Sequence, residues 1–343
     1  MNVTVVIATY NRARLVRRLL LQLAAQTVPD GQFEVVIVDD GSSPPVSEAL
    51  HDLDPPYPLR IIRQENRGAA AARHAGIVAA RGDLIVIVDD DMQVGCHFLE
   101  HHLRAHASGR AVVLGRIAAD PAIATMPVFE RWHAQKLDRK AEALRSGRLV
   151  PKGNLLFTGN VSFRREDYLA VGGFDASFPQ SEDIELGLRL EKSGVAFRFC
   201  EAARTSHGSD HNSVARWRAR ARLYGWCDSR IAAKHPELRH ASPWRLVFDL
   251  HPFARPFIAA ALSVPRAASA LAAVALSIAA VLGWMGAERA AIAGVSLAYV
   301  IEYFRGVREH AGSRGGAFDA LADFSARFER TPRAVRASAA LAS

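Results

Sequence analysis

The stretch Leu84-Ile85-Val86-Ile87-Val88-Asp89-Asp90-Asp91 constrains this chain more than any other. Five apolar residues without polar alternation read as a strand buried on both faces, as in a parallel sheet covered by helices. Three carboxylates then stand where the strand must end. An ionised carboxylate is costly to bury unless it is paired or metal-bound. Three together repel, so each raises the others' pKa. A hard divalent cation, which takes oxygen ligands, relieves that repulsion. In open α/β sheets, ligands bind beyond the carboxyl ends of the strands. Position and chemistry therefore point to a metal-phosphate site. The plainer alternative is a solvated acidic turn.

Other segments repeat the pattern. Residues 3–7 and 33–38 read as buried strands, 59–62 as a short strand and 111–115 as another. Between them, 14–26 places Leu15, Leu19, Leu20 and Leu23 on one helical face. Residues 68–80 form an alanine-rich helix that stops at Arg81-Gly82-Asp83, and 97–107 reads as a further helix. Strands alternating with helices imply βαβ units and a mostly parallel sheet. The second strand also ends in acid, at Asp39-Asp40-Gly41. Residues 119–150 are more polar, with a helical pattern over 129–144, and read as a lid or insertion. Residues 157–163 alternate like a strand, and 172–175 form a turn. Ser181 can cap a helix over 181–190 that carries acids in its first turn, and 196–200 reads as a last strand.

Beyond His207 the character changes. No charge occurs from Ala267 to Trp284, close to the roughly 20 apolar residues of a spanning helix. A second run, 290–303, is shorter and contains Glu302. A hairpin in or on a membrane and an alanine-rich helical pair packed on the rest of the chain both suit this region. Glycines at 312, 315 and 316 suggest a mobile tail. The expected organisation is 1–118, 119–240 and a helical, apolar region over 241–343.

The 343 residues carry a formal charge of +8, which suits phosphorylated substrates or anionic lipid. No Lys/Arg block with interleaved aromatics occurs, so nucleic acid is not an expected partner. Cys96, Cys200 and Cys227 form no Cys-x-x-Cys pair, which suits a reducing cytosol. The first residues enter a strand at once and lack the pattern of a signal peptide.

Gly-x-Gly-x-x-Gly is missing after the first strand, and neither Gly-x-x-x-x-Gly-Lys-Ser/Thr nor Gly-x-Ser-x-Gly occurs, which disfavours dinucleotide, P-loop and nucleophile-elbow chemistry. The pieces that remain are Val5-Val6-Ile7-Ala8-Thr9-Tyr10-Asn11, Val36-Ile37-Val38-Asp39-Asp40-Gly41-Ser42, Asn66-Arg67-Gly68 leading to Ala72-Arg73, Asp89-Asp90-Asp91, Gly159-Asn160, Gly172-Gly173-Phe174-Asp175 and Glu182-Asp183. In this order, over roughly residues 3 to 210, the set resembles the family 2 glycosyltransferases. The resemblance departs at Ala8, where proline is common, and at His74, where asparagine is common. Arg216-Trp217 lacks the Gln of the processive synthases' Gln-x-x-Arg-Trp motif.

That resemblance implies a GT-A fold: a Rossmann-like α/β domain with a mixed, mostly parallel central sheet flanked by helices, here followed by a C-terminal helical region. It implies an inverting enzyme that moves a sugar from a nucleotide-diphosphate-sugar to a hydroxyl of a glycan or lipid-linked acceptor, as in cell-envelope polysaccharide biosynthesis. Donor binding would fall to Thr9, Tyr10, Asn11, Asp40, Gly68, Arg73, Asp89, Asp90 and Gly159. Asp91, Asp89 and His207 would hold a divalent metal, Mn2+ or Mg2+, with His211 competing for the histidine role. Asp183 would be the general base, with Glu182 beside it. The expected location is cytoplasmic, peripheral or integral at the cytosolic membrane face, with 256–304 as the contact. The competing classes are a nucleotide-sugar binding protein without turnover and a sugar nucleotidyltransferase.

Overall fold

The apolar runs become strands of one eight-stranded sheet, in the order β3-β2-β1-β4-β7-β6-β8-β5. The strands are β1 (Val3–Thr9), β2 (Phe33–Asp39), β3 (Leu59–Arg63), β4 (Leu84–Val88), β5 (Met92–Val94), β6 (Ala111–Ala118), β7 (Asn160–Arg164) and β8 (Ala196–His207). The computed structural model describes residues 2–29, 31–208 and 213–328. Pairs β1–β2, β1–β4, β2–β3 and β6–β8 are parallel. Pairs β4–β7, β5–β8 and β6–β7 are antiparallel, so the sheet is mixed. Every residue of β2 and β4 is buried, as continuous apolar runs require when helices cover both faces.

The chain winds outward from β1 to β2 and β3, then returns to place β4 on the other side of β1. The carboxyl ends of β1 and β4 thus flank a topological switch point, where α/β sheets open a crevice. The aspartate triplet lies there. From it the chain runs to β5 at the far edge, which pairs antiparallel with the end of β8.

Residues group into two compact units: 1–120 with 150–209, and 121–149 with 210–343. The first holds the sheet. The second is helical and shares one apolar core. Its main helices are Val128–Arg145, Val214–Lys234, Arg255–Ser263, Pro265–Trp284, Glu288–His310 and Arg314–Phe328. Two glycines let its backbones meet. A Cβ on Gly225 would overlap the Tyr303 carbonyl, and one on Gly306 would overlap that of Arg222. Glu302, 1% exposed, is neutralised by Arg218 and Arg305.

Several expectations are corrected. The strand expected over 157–163 begins at Asn160. Ser181 makes no side-chain capping bond; it adopts φ 63° and precedes the helix in a left-handed turn. The last strand continues past Cys200 because an irregularity at Gly115/Arg116 lets β6 and β8 re-pair, so His207 ends a strand rather than following one. The tail expected to be mobile contains the helix Arg314–Phe328, which buries Ala317 and Phe324. Gly312, at φ +70°, only breaks the preceding helix. Helical glycine costs about 1 kcal/mol against alanine, and burial of that apolar face offsets it.

Candidate active site

The end of β2 builds the first part of the site. Successive strand side chains point to opposite sides, so Asp39 and Asp40 serve different loops. Asp39 accepts from Ser42 N at 2.8 Å and Val46 N at 3.0 Å. Burial works against its ionisation, but the bonds from Ser42 and Val46 outweigh it and hold its pKa below the usual range. Asp40 accepts from Gln64 Nε2 at 2.7 Å, Arg67 N at 3.0 Å and Gly68 N at 2.9 Å. Its carboxylate therefore fixes the loop that enters the helix Ala69–Ala79. Gly68 holds φ +86°, which side chains resist. Asn11 latches the β1 end to the same turn: its N–H donates to Ser42 Oγ at 2.8 Å, and its Oδ1 accepts from Ser43 N at 2.8 Å. Tyr10 beside it is 50% exposed, an open ring next to three fixed loops.

The triplet's members face different partners. Asp90 accepts from Thr9 Oγ1 at 2.7 Å, and Arg12 Nη1 lies 3.1 Å from Asp90 Oδ1 and 3.1 Å from Asp91 Oδ2. Burial pushes the Asp90 carboxyl up to about 6, against the opposing pull of Thr9 and Arg12. The β5–β8 register sets Met92 opposite His207, which brings His207 Nε2 within 3.5 Å of Asp91 Oδ2. Asp89 turns to Arg73 Nη2, 2.6 Å away. His211 lies outside the described residues.

Among the described residues, no group of three or more His, Cys, Asp or Glu side chains stands close enough to hold a metal ion. At the triplet, Asp91 and His207 offer adjacent oxygen and nitrogen donors. Divalent cations in phosphate chemistry take one or two protein carboxylates and fill their shell with phosphate oxygens and water. The donor set fits such a shared ion.

Arg73 joins this region to the Glu182-Asp183 motif. It is buried on Ala69–Ala79 and donates from Nη1 to Glu182 Oε1 at 2.8 Å and from Nη2 to Asp89 Oδ1 at 2.6 Å. Burial opposes its charge, but Asp89 and Glu182 outweigh it and raise its pKa. Asp183 lies in the first turn of Glu182–Lys192 and accepts from Ile184 N at 2.8 Å. Burial, then the neighbouring Glu182 charge, pushes its carboxyl up to about 7. A carboxyl poised there can accept a proton near neutral pH.

Gly159 backs onto the same place. A Cβ there would stand 2.9 Å from Met92 Cε and 3.4 Å from Asp89 Oδ2. Asn160 is locked behind it. Its Nδ2 donates to the carbonyls of Arg116 and Ala203, and its Oδ1 faces His102 Nε2 at 2.9 Å. Because Oδ1 can only accept, His102 carries its proton on Nε2. Ser162 Oγ then donates to His102 Nδ1 at 2.7 Å and accepts from His106 Nε2 at 2.8 Å.

Thr9, Asp90, Asp91 and His207 thus form one group. Asp89, Arg73, Glu182 and Gly159 form a second, with Asp183 next in the chain to Glu182. Tyr10, Asn11, Asp40 and Gly68 form a third. Sequence reasoning missed Arg12, whose only signal was a basic residue directly after the first strand's loop. It also missed the His102–Ser162–His106 chain, since lone histidines on a helix give no pattern.

Residues 4–171 match the family model described as glycosyl transferase family 2. Validoxylamine A glucosyltransferase of Streptomyces hygroscopicus subsp. jinggangensis is 29% identical over 264 residues, covering 68% of this chain and 61% of that protein. Pre-mycofactocin glycosyltransferase of Mycobacterium tuberculosis is 29% identical over 247 residues, covering 69% of this chain and 48% of that protein. The chain thus spans about half to three-fifths of the length of these curated relatives. The fold resembles the solved mannosyltransferase PcManGT of Pyrobaculum calidifontis, in complex with GDP-Man and Mn2+. The TM-score is 0.59 at 21% identity, covering 88% of this chain and 85% of that one.

Proposed function

We propose that this chain, whose residues 4–171 match the glycosyl transferase family 2 model, is an inverting glycosyltransferase of that family that uses a nucleotide-diphosphate-sugar donor. The acceptor hydroxyl attacks the anomeric carbon, Asp183 takes its proton, and the bond to the diphosphate breaks. Tyr10 stacks on or borders the nucleoside, and Asp40 keeps the 64–68 loop in place around it. Asp91 and His207 would hold a divalent cation, with Asp89 as a further candidate ligand. Bound there, the ion would supply positive charge for the leaving diphosphate.

The observation that carries this reading is Arg73. It ties Asp89, at the end of β4, to Glu182, at the start of the helix that presents Asp183. A base must stand near the reacting centre, and this ion-pair bridge fixes the base-bearing helix against the triplet. The acceptor class we favour is a cell-envelope or lipid-linked glycan reached from the cytosolic membrane face. Support comes from the helix Pro265–Trp284, which is long and apolar enough to cross a membrane yet is only 17% buried over its most apolar window. Val274, Ile278, Val281 and Trp284 stand exposed on it. The test is Asp183→Asn, assayed for sugar transfer and for donor binding. Transfer should fall at least about a thousandfold while donor affinity stays within a few fold. Full transfer by this variant would refute the assignment of the base.

A further inference from the structure

Arg12 has no role in the reading above, yet it lies on the carboxylate oxygen of Asp91 that faces His207. Its Nη1 lies 3.1 Å from Asp91 Oδ2, the same atom that stands 3.5 Å from His207 Nε2. It also lies 3.1 Å from Asp90 Oδ1. We infer that Arg12 is a resident counterion: it neutralises Asp90 and Asp91 when no divalent cation is bound, and competes with that cation for Asp91. The inference rests on the proposal that Asp91 and His207 are metal ligands.

Two charges explain the need. Asp90 and Asp91 are adjacent and their side chains are 6% and 8% exposed, so leaving both ionised without a cation is costly. Arg12 is 30% exposed, so its guanidinium can swing into solvent while the aspartates stay in place. Thr9 would keep Asp90 bonded when it does. The backbone need not follow, because Asn11 is fastened to Ser42 and Ser43 through two hydrogen bonds. A divalent cation held by Asp91 and a guanidinium on the same carboxylate would repel each other, so each would weaken the other's hold. Arg12 therefore lowers the affinity for a bare cation and stabilises the metal-free protein.

The experiment is a calorimetric titration of Mn2+, without nucleotide, into the full chain and into Arg12→Gln, Arg12→Lys and Asp91→Asn. Arg12→Gln should tighten the Mn2+ dissociation constant on the order of tenfold. Arg12→Lys keeps the charge but loses the fork that spans two carboxylates, so it should fall between. Without metal, Arg12→Gln should melt below wild type, and saturating Mn2+ should close the gap. Loss of binding in Asp91→Asn together with an unchanged or weaker Arg12→Gln constant overturns the Arg12 inference alone. Mn2+ binding by Asp91→Asn equal to wild type, or no binding by any form, overturns the metal reading and the inference with it. Should Arg12→Gln not fold, a wild-type constant and wild-type melting response in Arg12→Lys would overturn it.

Discussion

On the proposal that Asp183 is the base, Glu182 helps set the pH at which it can work, and that can be measured. The Asp183 carboxyl is raised from the usual 3.8 to about 7, by burial first and by the Glu182 charge second. A base must be ionised to accept a proton, so kcat/KM should climb with pH through that midpoint. With a midpoint near 7, about one-tenth of the carboxyl is ionised at pH 6 and about nine-tenths at pH 8, giving a rise of about tenfold. Glu182→Gln removes the second cause. It also frees Arg73 from one carboxylate, which leaves its positive charge more available to Asp183. Both changes lower the midpoint, by about one unit as a typical neighbour effect. At a midpoint near 6 the same interval spans half to full ionisation, so the rise shrinks to about twofold. The assay is transfer of radiolabelled sugar at subsaturating donor, at pH 6 and pH 8, for both forms. Normalising each form to its own pH 8 rate removes any loss due to the disturbed Arg73 bridge. An unchanged tenfold rise in Glu182→Gln, or a flat wild-type profile, would refute the coupling.

Other consequences are open to measurement. Gly306→Ala sets a methyl group into the Arg222 carbonyl and should cost about 3 kcal/mol or more, read by urea melts. Burial pushes the His102 and His106 imidazoles down to about 4 from 6.5, so the folded protein holds fewer protons than the unfolded chain between those values. Their stability contribution is therefore complete above pH 6.5 and is lost as pH falls toward 4, about 3 kcal/mol for each ring. His106→Gln should remove roughly half of that pH-dependent loss. Val274→Asp with Ile278→Asp, on the exposed face of Pro265–Trp284, should abolish flotation with anionic vesicles and leave the melting temperature within a few degrees. Flotation equal to wild type would sink the membrane contact. Asp40→Ala, which strips three bonds from the 64–68 loop, should weaken nucleotide binding on the order of tenfold or more.

The long apolar strands and the helices between them were legible because burial on both faces forces continuous hydrophobic runs. The short elements were not. β5 has three residues and no pattern of its own; it exists because β8, more than a hundred positions later, offers it a ladder. β8 itself was readable only as far as Cys200, where its pairing with β6 shifts register. The carboxylates of the candidate site could be named from their order along the chain. Their partners could not, since Arg12 reaches Asp90 across 78 positions and Arg73 reaches Glu182 across 109. Spacing locates acids at strand ends, but only the folded chain decides which cation each one meets. The glycines at 312, 315 and 316 misled for the opposite reason. Local propensity disfavours a helix there, and tertiary burial of Ala317 and Phe324 overrides it.

The edge ladder between β5 and β8 has a kinetic consequence. Met92, Gln93 and Val94 pair with His207, Ser206 and Thr205, and Gln22 Oε1 clips the strand by accepting from Val94 N at 2.9 Å. This is the pairing at one edge of the sheet, and together with the Gly208 N–H bond to the Asp91 carbonyl at 2.9 Å it spaces His207 from Asp91. Short edge ladders open locally at a fraction of the free energy of global unfolding. The Asp91–His207 pair should therefore open with this edge rather than with the whole domain. Amide exchange at Gln93, opposite Ser206, would follow its opening.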